Sequence, residues 1–282
     1  MIYSKFSGNS ASVNIENVDG REPYTCIGTK AFLSCKNVYE IHLPETICEV
    51  GPWAFAHMKD LKRIMVPAKK ILIGKDAFLD CDSLREVVVY PGKADDQGIS
   101  YLMASCITVL KAYDLLDFQM AAEQTESWCE MYDRKLKSYI CQADDAEFQP
   151  VMVGWFNDEG EDEQRQRYIN VINSNKIKLS FLRLKYDVHI DNDMRQTLLS
   201  YLKEQINRLE NGDDFAWNDI KEVLQDDIQY VKITVGNSLI NEELILDLIT
   251  FLNDKNASAE IVAYLVSSVN NENKDADSQF DL

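Results

Sequence analysis

The sequence predicts an α+β protein: a short β-solenoid with a 23-residue period, followed by an acidic, all-helical, repeat-like region. Three observations carry that reading. Gly28, Gly51 and Gly74 recur at a step of 23 residues, as do Phe32, Phe55 and Phe78. A fixed period in this range marks units that bury their apolar faces only against their neighbours. Each unit holds a segment with strand-like alternation: Ile41-His42-Leu43, Ile64-Met65-Val66 and Val87-Val88-Val89. Beyond residue 100, Pro150 is the only proline, and apolar residues take helical spacing.

Taken in order, residues 1–23 are polar and read as an N-terminal cap, with SVNIENV as an entry strand over the first repeat. Residues 24–92 hold the repeats. Their rows read IGTKAFLSCKNVYEIHLP, VGPWAFAHMKDLKRIMVP and IGKDAFLDCDSLREVVVYP. Stacking the rows makes a parallel sheet with Ile41, Leu43, Ile64, Val66, Val87 and Val89 turned into the core. Val38, Leu61 and Leu84 recur at the same step. Cys35, Met58 and Cys81 share a column, as expected of a small buried thiol. The column before each strand reads Glu40, Arg63, Glu86, an opposite-charge ladder that agrees with the hydrophobic register. The glycine before each Ala-Phe pair suits a close approach of two backbones. Lys70 stands where the preceding row has Ile47, and Tyr90 inserts before Pro91, so the third row ends the regular winding.

The pattern I-G-x-x-A-F-x-x-C-x-x-L-x-x-I-x-L-P resembles the BspA-like class of bacterial leucine-rich repeats. That resemblance implies a curved solenoid used for protein–protein contacts or adhesion, in a class with many members exported to the cell surface.

Residues 93–270 read as a helical domain, entered through the turn-rich KADDQGIS. Leu102, Cys106, Val109, Leu110 and Tyr113 share one helix face, and Trp128, Met131, Tyr132, Leu136 and Tyr139 another. NDEGEDE, residues 157–163, is an acidic break. Two helices are expected next, one from about Glu163 and one from about Lys176, then one capped by Asp191 and one capped by Asp214. The last two run from Asn241 and from Ala257, joined by the turn NDKNAS. The phrases LRLKYDVHIDNDMRQTLLSYLK and LITFLNDKNASAEIVAYLVSSVN resemble a helical tail that accompanies such repeats, with pairs like degenerate ankyrin units. Residues 271–282 are polar and acidic and are expected to be disordered.

Charge and motifs bound the function. The net charge of −18 lacks the positive footprint that nucleic acid or an anionic membrane needs. Residues 24–92 are near neutral, with 9 Lys+Arg against 8 Asp+Glu, whereas residues from 94 onward have 17 against 36. Seven cysteines in odd number, with no C-x-x-C, read as reduced thiols. With neither a signal peptide nor a membrane-length apolar run, the chain reads as cytoplasmic, with the cell surface as the alternative. Phosphate-cradling loops, H-E-x-x-H and G-x-S-x-G are absent. No cofactor or metal is expected: His57 beside the cysteine column reads as a loop histidine, and the acidic runs lack calcium-loop spacing.

The sequence therefore points to a non-enzymatic protein–protein interaction module of unknown partner. The outward column His42, Met65, Val88 is more apolar than a free surface needs and is expected to be covered by a partner or by the helical domain. With Glu40, Arg63 and Glu86 beside it, it forms the candidate partner-binding surface. The alternatives are an enzyme with a site at the domain junction and an exported surface adhesin.

Overall fold

The computed structural model describes residues 1–8, 10–16, 21–91, 98–149, 160–211 and 214–278. Two parallel sheets of four strands each form the β-solenoid. One contains β1 (Ile2–Tyr3), β3 (Cys26–Ile27), β5 (Glu49–Val50) and β7 (Leu72–Ile73). The other contains β2 (Ser12–Asn14), β4 (Glu40–His42), β6 (Arg63–Pro67) and β8 (Glu86–Tyr90). Each coil gives one strand to each sheet, so the winding has four coils. The N-terminal segment supplies a whole first coil and not the entry strand alone. Val13 pairs with Ile41, Ile2 with Cys26, and Phe6 stacks on Phe32. Loose spacing hides this coil in the sequence: Ser12 and Glu40 are partners 28 residues apart.

The expected register holds. Ile41, Ile64 and Val87 are partners, and all six inward residues are buried. The phenylalanines form a continuous stack, with Phe32–Phe55 at 5.3 Å and Phe55–Phe78 at 5.1 Å between ring centroids. Lys70 is exposed, and Ile71 takes the buried place in its coil.

Between its two strands each coil turns through an arc held to the next coil by backbone bonds. Lys30, Phe32 and Ser34 N–H donate to the carbonyls of Pro52, Ala54 and Ala56. One coil on, Trp53, Phe55 and His57 donate to Lys75, Ala77 and Leu79. The arc needs left-handed backbone at two columns: Lys30, Trp53 and Asp76, and Ser34, His57 and Asp80, with φ between 53° and 59°. Lys30, Ser34 and Trp53 are not types that announce that conformation, which L-residues adopt at a cost of roughly 1–2 kcal/mol, whereas His57, Asp76 and Asp80 adopt it more readily.

The chain divides into two compact units: Met1–Tyr139 with Tyr186–Ile190, and Ile140–Lys185 with Asp191–Leu282. In the first, the solenoid continues into α1 (Ile99–Thr108), a 3-10 turn (Tyr113–Leu115), α2 (Phe118–Glu123) and most of α3 (Thr125–Cys141). Trp128 Nε1 donates to the Leu115 carbonyl at 2.8 Å, and Ser105 and Tyr132 hydroxyls pair at 2.8 Å. The composition break near 93–100 therefore separates strands from helices, while compactness divides the chain within α3.

The second unit contains α4 (Glu161–Lys185), α5 (Asn192–Asn207), α6 (Phe215–Leu224), α7 (Ile228–Gly236), α8 (Glu242–Asp254) and α9 (Ala259–Ser278). One 25-residue helix replaces the two expected across 163–185. Asn173, Ser174 and Asn175 look like a break, but Asn173 and Ser174 are used as anchors. With its amide oriented by its partners, Asn173 donates to Asp144 at 2.8 Å and accepts from Arg208 at 3.3 Å. Asp191 caps α5 by accepting from Met194 N–H at 2.6 Å, and Asn241 caps α8 through Leu244 N–H at 3.0 Å. Asp214 sits at the start of α6 without a side-chain capping bond, contrary to expectation. Helix α9 runs to Ser278, through part of the stretch expected to be disordered. Residues 279–282, Asp158, Glu159 and Asp213 lie outside the described residues.

Candidate interaction surface

The outward side of the β2–β4–β6–β8 sheet carries the residues singled out above. Strand register sets Asn14, His42, Met65 and Val88 side by side, and Ser12, Glu40, Arg63 and Glu86 side by side two residues earlier. Period-two alternation turns both rows outward, since the intervening Ile41, Ile64 and Val87 are buried. The second row is linked. Ser12 Oγ donates to Glu40 Oε1 at 3.2 Å, and Arg63 Nε lies 3.3 Å from Glu86 Oε2. An ion pair this accessible contributes little stability, about 0–1 kcal/mol, so its value is in fixing side-chain direction.

The first row is graded. His42 and Met65 are half-buried, while Val88 is only 5 % exposed. Helix α1 packs on β8, and α2 on β8 and β6, which closes the row at that end. His42 meets Tyr90 edge-on at 4.7 Å, and the Tyr90 phenol donates to the Leu43 carbonyl. His42 Nε2 is buried without a hydrogen-bond partner. Beside Glu86, burial raises the Tyr101 phenol pKa, with the Glu86 carboxylate and the stacked Tyr186 ring adding to the effect. The structure thus brings all six predicted residues onto one face but leaves five accessible. A sequence shows which residues share a column, but not which helix later lies across it.

Reactive chemistry does not assemble around these residues. Burial pushes the Cys81 thiol up to about 12, and its Sγ donates to the Phe55 carbonyl at 3.1 Å. Burial also raises Cys106. Such thiols stay protonated and are poor nucleophiles. His57 pairs with Asp80, at 2.9 Å from Nδ1 to Oδ2, and not with a cysteine. Ser34, His57 and Asp80 occupy one column in an order suggestive of a hydrolytic triad, but no hydrogen bond joins Ser34 Oγ to the imidazole, so the nucleophile is not activated. Among the described residues, no three His, Cys, Asp or Glu side chains could hold a metal ion, and no helix is long and apolar enough to cross a membrane.

Residues 6–108 match the family described as BspA type leucine-rich repeat region (6 copies). The match begins after β1, takes in β2 to β8 and ends with α1. No curated protein and no solved structure matches the chain.

Proposed function

We propose that this BspA-type leucine-rich repeat region, with the helices that follow it, acts as a non-enzymatic protein–protein interaction module. Its recognition surface is the outward face of β2, β4 and β6, with His42 and Met65 at the centre and Glu40, Arg63 and Glu86 along one flank. One observation carries the reading: a row of apolar and aromatic side chains that is sealed at Val88 and open at Met65 and His42, beside an ordered row of alternating charge. An apolar centre supplies affinity on exclusion of water, while flanking charges set register and reject wrong partners. No disulfide joins the seven cysteines, which supports a reducing compartment, the cytoplasm; a cell-surface location is the alternative.

The test is capture from lysate of the source organism by the wild-type chain, by Met65→Asp and by an Arg63→Glu, Glu86→Arg charge swap. Val88→Asp is unsuitable, because a carboxylate at that buried position would unfold the region. A protein retained by the wild type and lost by Met65→Asp, with unchanged circular dichroism, supports the proposal. Retention of the same proteins by the wild type and both variants rules out the sheet as the binding surface.

A further inference from the structure

The last coil ends differently in the two sheets. At β8 the winding is closed, because α1 packs on β8, and α2 on β8 and β6. In the other sheet β7 is the outermost strand, with none of the described strands beyond it. Leu72 is 63 % exposed there, and Lys70 and Lys75, on either side of the strand, are exposed as well.

The arc after β7 carries the donors that each earlier arc directs at its successor. The N–H groups of Lys30, Phe32 and Ser34, then of Trp53, Phe55 and His57, each find a carbonyl one coil on. A further step of 23 residues leads to Asp76, Phe78 and Asp80. Among the described residues no acceptor meets any of these three N–H groups. Asp76 and Asp80 are half-exposed, so the row reaches the surface. An edge with donors left over is a template for a strand of another chain.

Three features define what fits. The added segment must offer carbonyls at alternate residues, as Lys75, Ala77 and Leu79 do to the coil before them. Against Gly74 it must carry glycine. A Cβ at Gly28, Gly51 or Gly74 would meet the backbone of the preceding coil at 3.1, 2.8 and 2.5 Å, so the approach in this column leaves no room for a side chain. Opposite Lys70 and Lys75 it must carry carboxylates. Neither lysine has an ion-pair partner among the described residues, and like charges on adjacent strands destabilise. A second copy of the same row would set lysine on lysine at both places, which disfavours it.

We propose that β7 and the arc after it take up an acidic, glycine-containing extended segment of a partner protein as a fifth strand. Its glycine lies on Gly74, its carboxylates on Lys70 and Lys75, and its carbonyls accept from the Asp76, Phe78 and Asp80 N–H groups. The arc is already held by the coil beneath it, so binding orders few groups of this protein.

The test uses the isotope-labelled full chain and amide hydrogen exchange, with a synthetic peptide at near-physiological salt. The peptide copies residues 70–80 with Lys70→Glu and Lys75→Glu. Saturable binding is expected, with exchange at Asp76, Phe78 and Asp80 slowed at least about tenfold. The same peptide with Gly74→Val should bind at least about tenfold more weakly. The unaltered row, with both lysines, should bind at least about threefold more weakly. Lys70→Glu with Lys75→Glu in the protein, both at exposed positions, should reverse that last preference. Slow exchange of the three amides in the free chain overturns the proposal, as does equal protection by the glycine and valine peptides. Protection confined to β1 and β2, or a preference for the glutamate peptide that survives the charge swap, also overturns it. The Met65→Asp protein should bind the peptide as the wild type does, so failure here leaves the repeat-sheet reading standing.

Discussion

Gly74 is the position with the least room. An added Cβ would lie 2.5 Å from Pro52 N and 2.6 Å from the Gly51 carbonyl carbon, both backbone atoms of the adjoining coil. Gly74→Ala should therefore cost roughly 1–3 kcal/mol in urea unfolding, as overpacking does where nothing can yield. Gly28→Ala, whose nearest contact would be 3.1 Å from the Tyr3 carbonyl, should cost less. Equal costs would show that conformation, and not space, selects glycine in this column. The sequence period marked these glycines, but it could not mark Trp53 as left-handed, since tryptophan does not favour that backbone. Asp247 has a different sensitivity. Burial works against its carboxylate, but hydrogen bonds from Trp217 at 2.7 Å and Lys221 at 3.0 Å outweigh burial and lower its pKa. A lowered folded-state pKa stabilises above the unfolded value, and that contribution is lost as pH falls through the folded one. Acid titration of thermal stability should thus lose a step below about pH 4 that Asp247→Asn lacks.

Among the elements, the four coils depend on the aromatic stack. Phe55 sits between Phe32 and Phe78 and is fully buried, so Phe55→Ala opens a cavity with coils on both sides. The expected loss is about 3–5 kcal/mol, and a loss below about 1 kcal/mol in urea would contradict the stack. This stack was readable because a period repeats every packing relation several times. The helical unit offers no such redundancy. Helix α7, IQYVKITVG, is rich in β-branched residues that disfavour helix, and only Asp227 at its start, accepting from Gln229 N–H at 2.8 Å, signals it. Helix α4 hides the reverse way: its polar middle reads as a turn until Asp144 and Arg208, distant in sequence, are brought to Asn173. The same non-locality hid which helices cover Val88, while the outward placement of His42 and Met65 was legible from the column alone.

At the scale of the whole molecule, charge is unevenly spread. The second unit has 13 Lys+Arg against 27 Asp+Glu, a net −14 that exceeds that of the first, which has 16 Lys+Arg against 20 Asp+Glu, −4 by difference from the total of −18. Self-repulsion of this kind is screened by salt, so raising ionic strength from about 20 to about 200 mM should shift the helical signal to a higher urea midpoint. A midpoint that falls or stays put would show that local ion pairs such as Lys185–Asp227 outweigh the net field. The repeat region follows another logic. Backbone donors at Lys30, Phe32 and Ser34, and again at Trp53, Phe55 and His57, all point the same way along the winding, toward the carbonyls of the next coil. Every such junction is interchangeable with the next. An in-frame duplication of one row of the gene would therefore insert a coil that plugs into both neighbours without redesigning either end. The outward face would lengthen by one strand's width, about 4.8 Å, for each copy gained. Recognition length can thus evolve by copy number, while the N-terminal coil and the α1–α3 cap stay as they are.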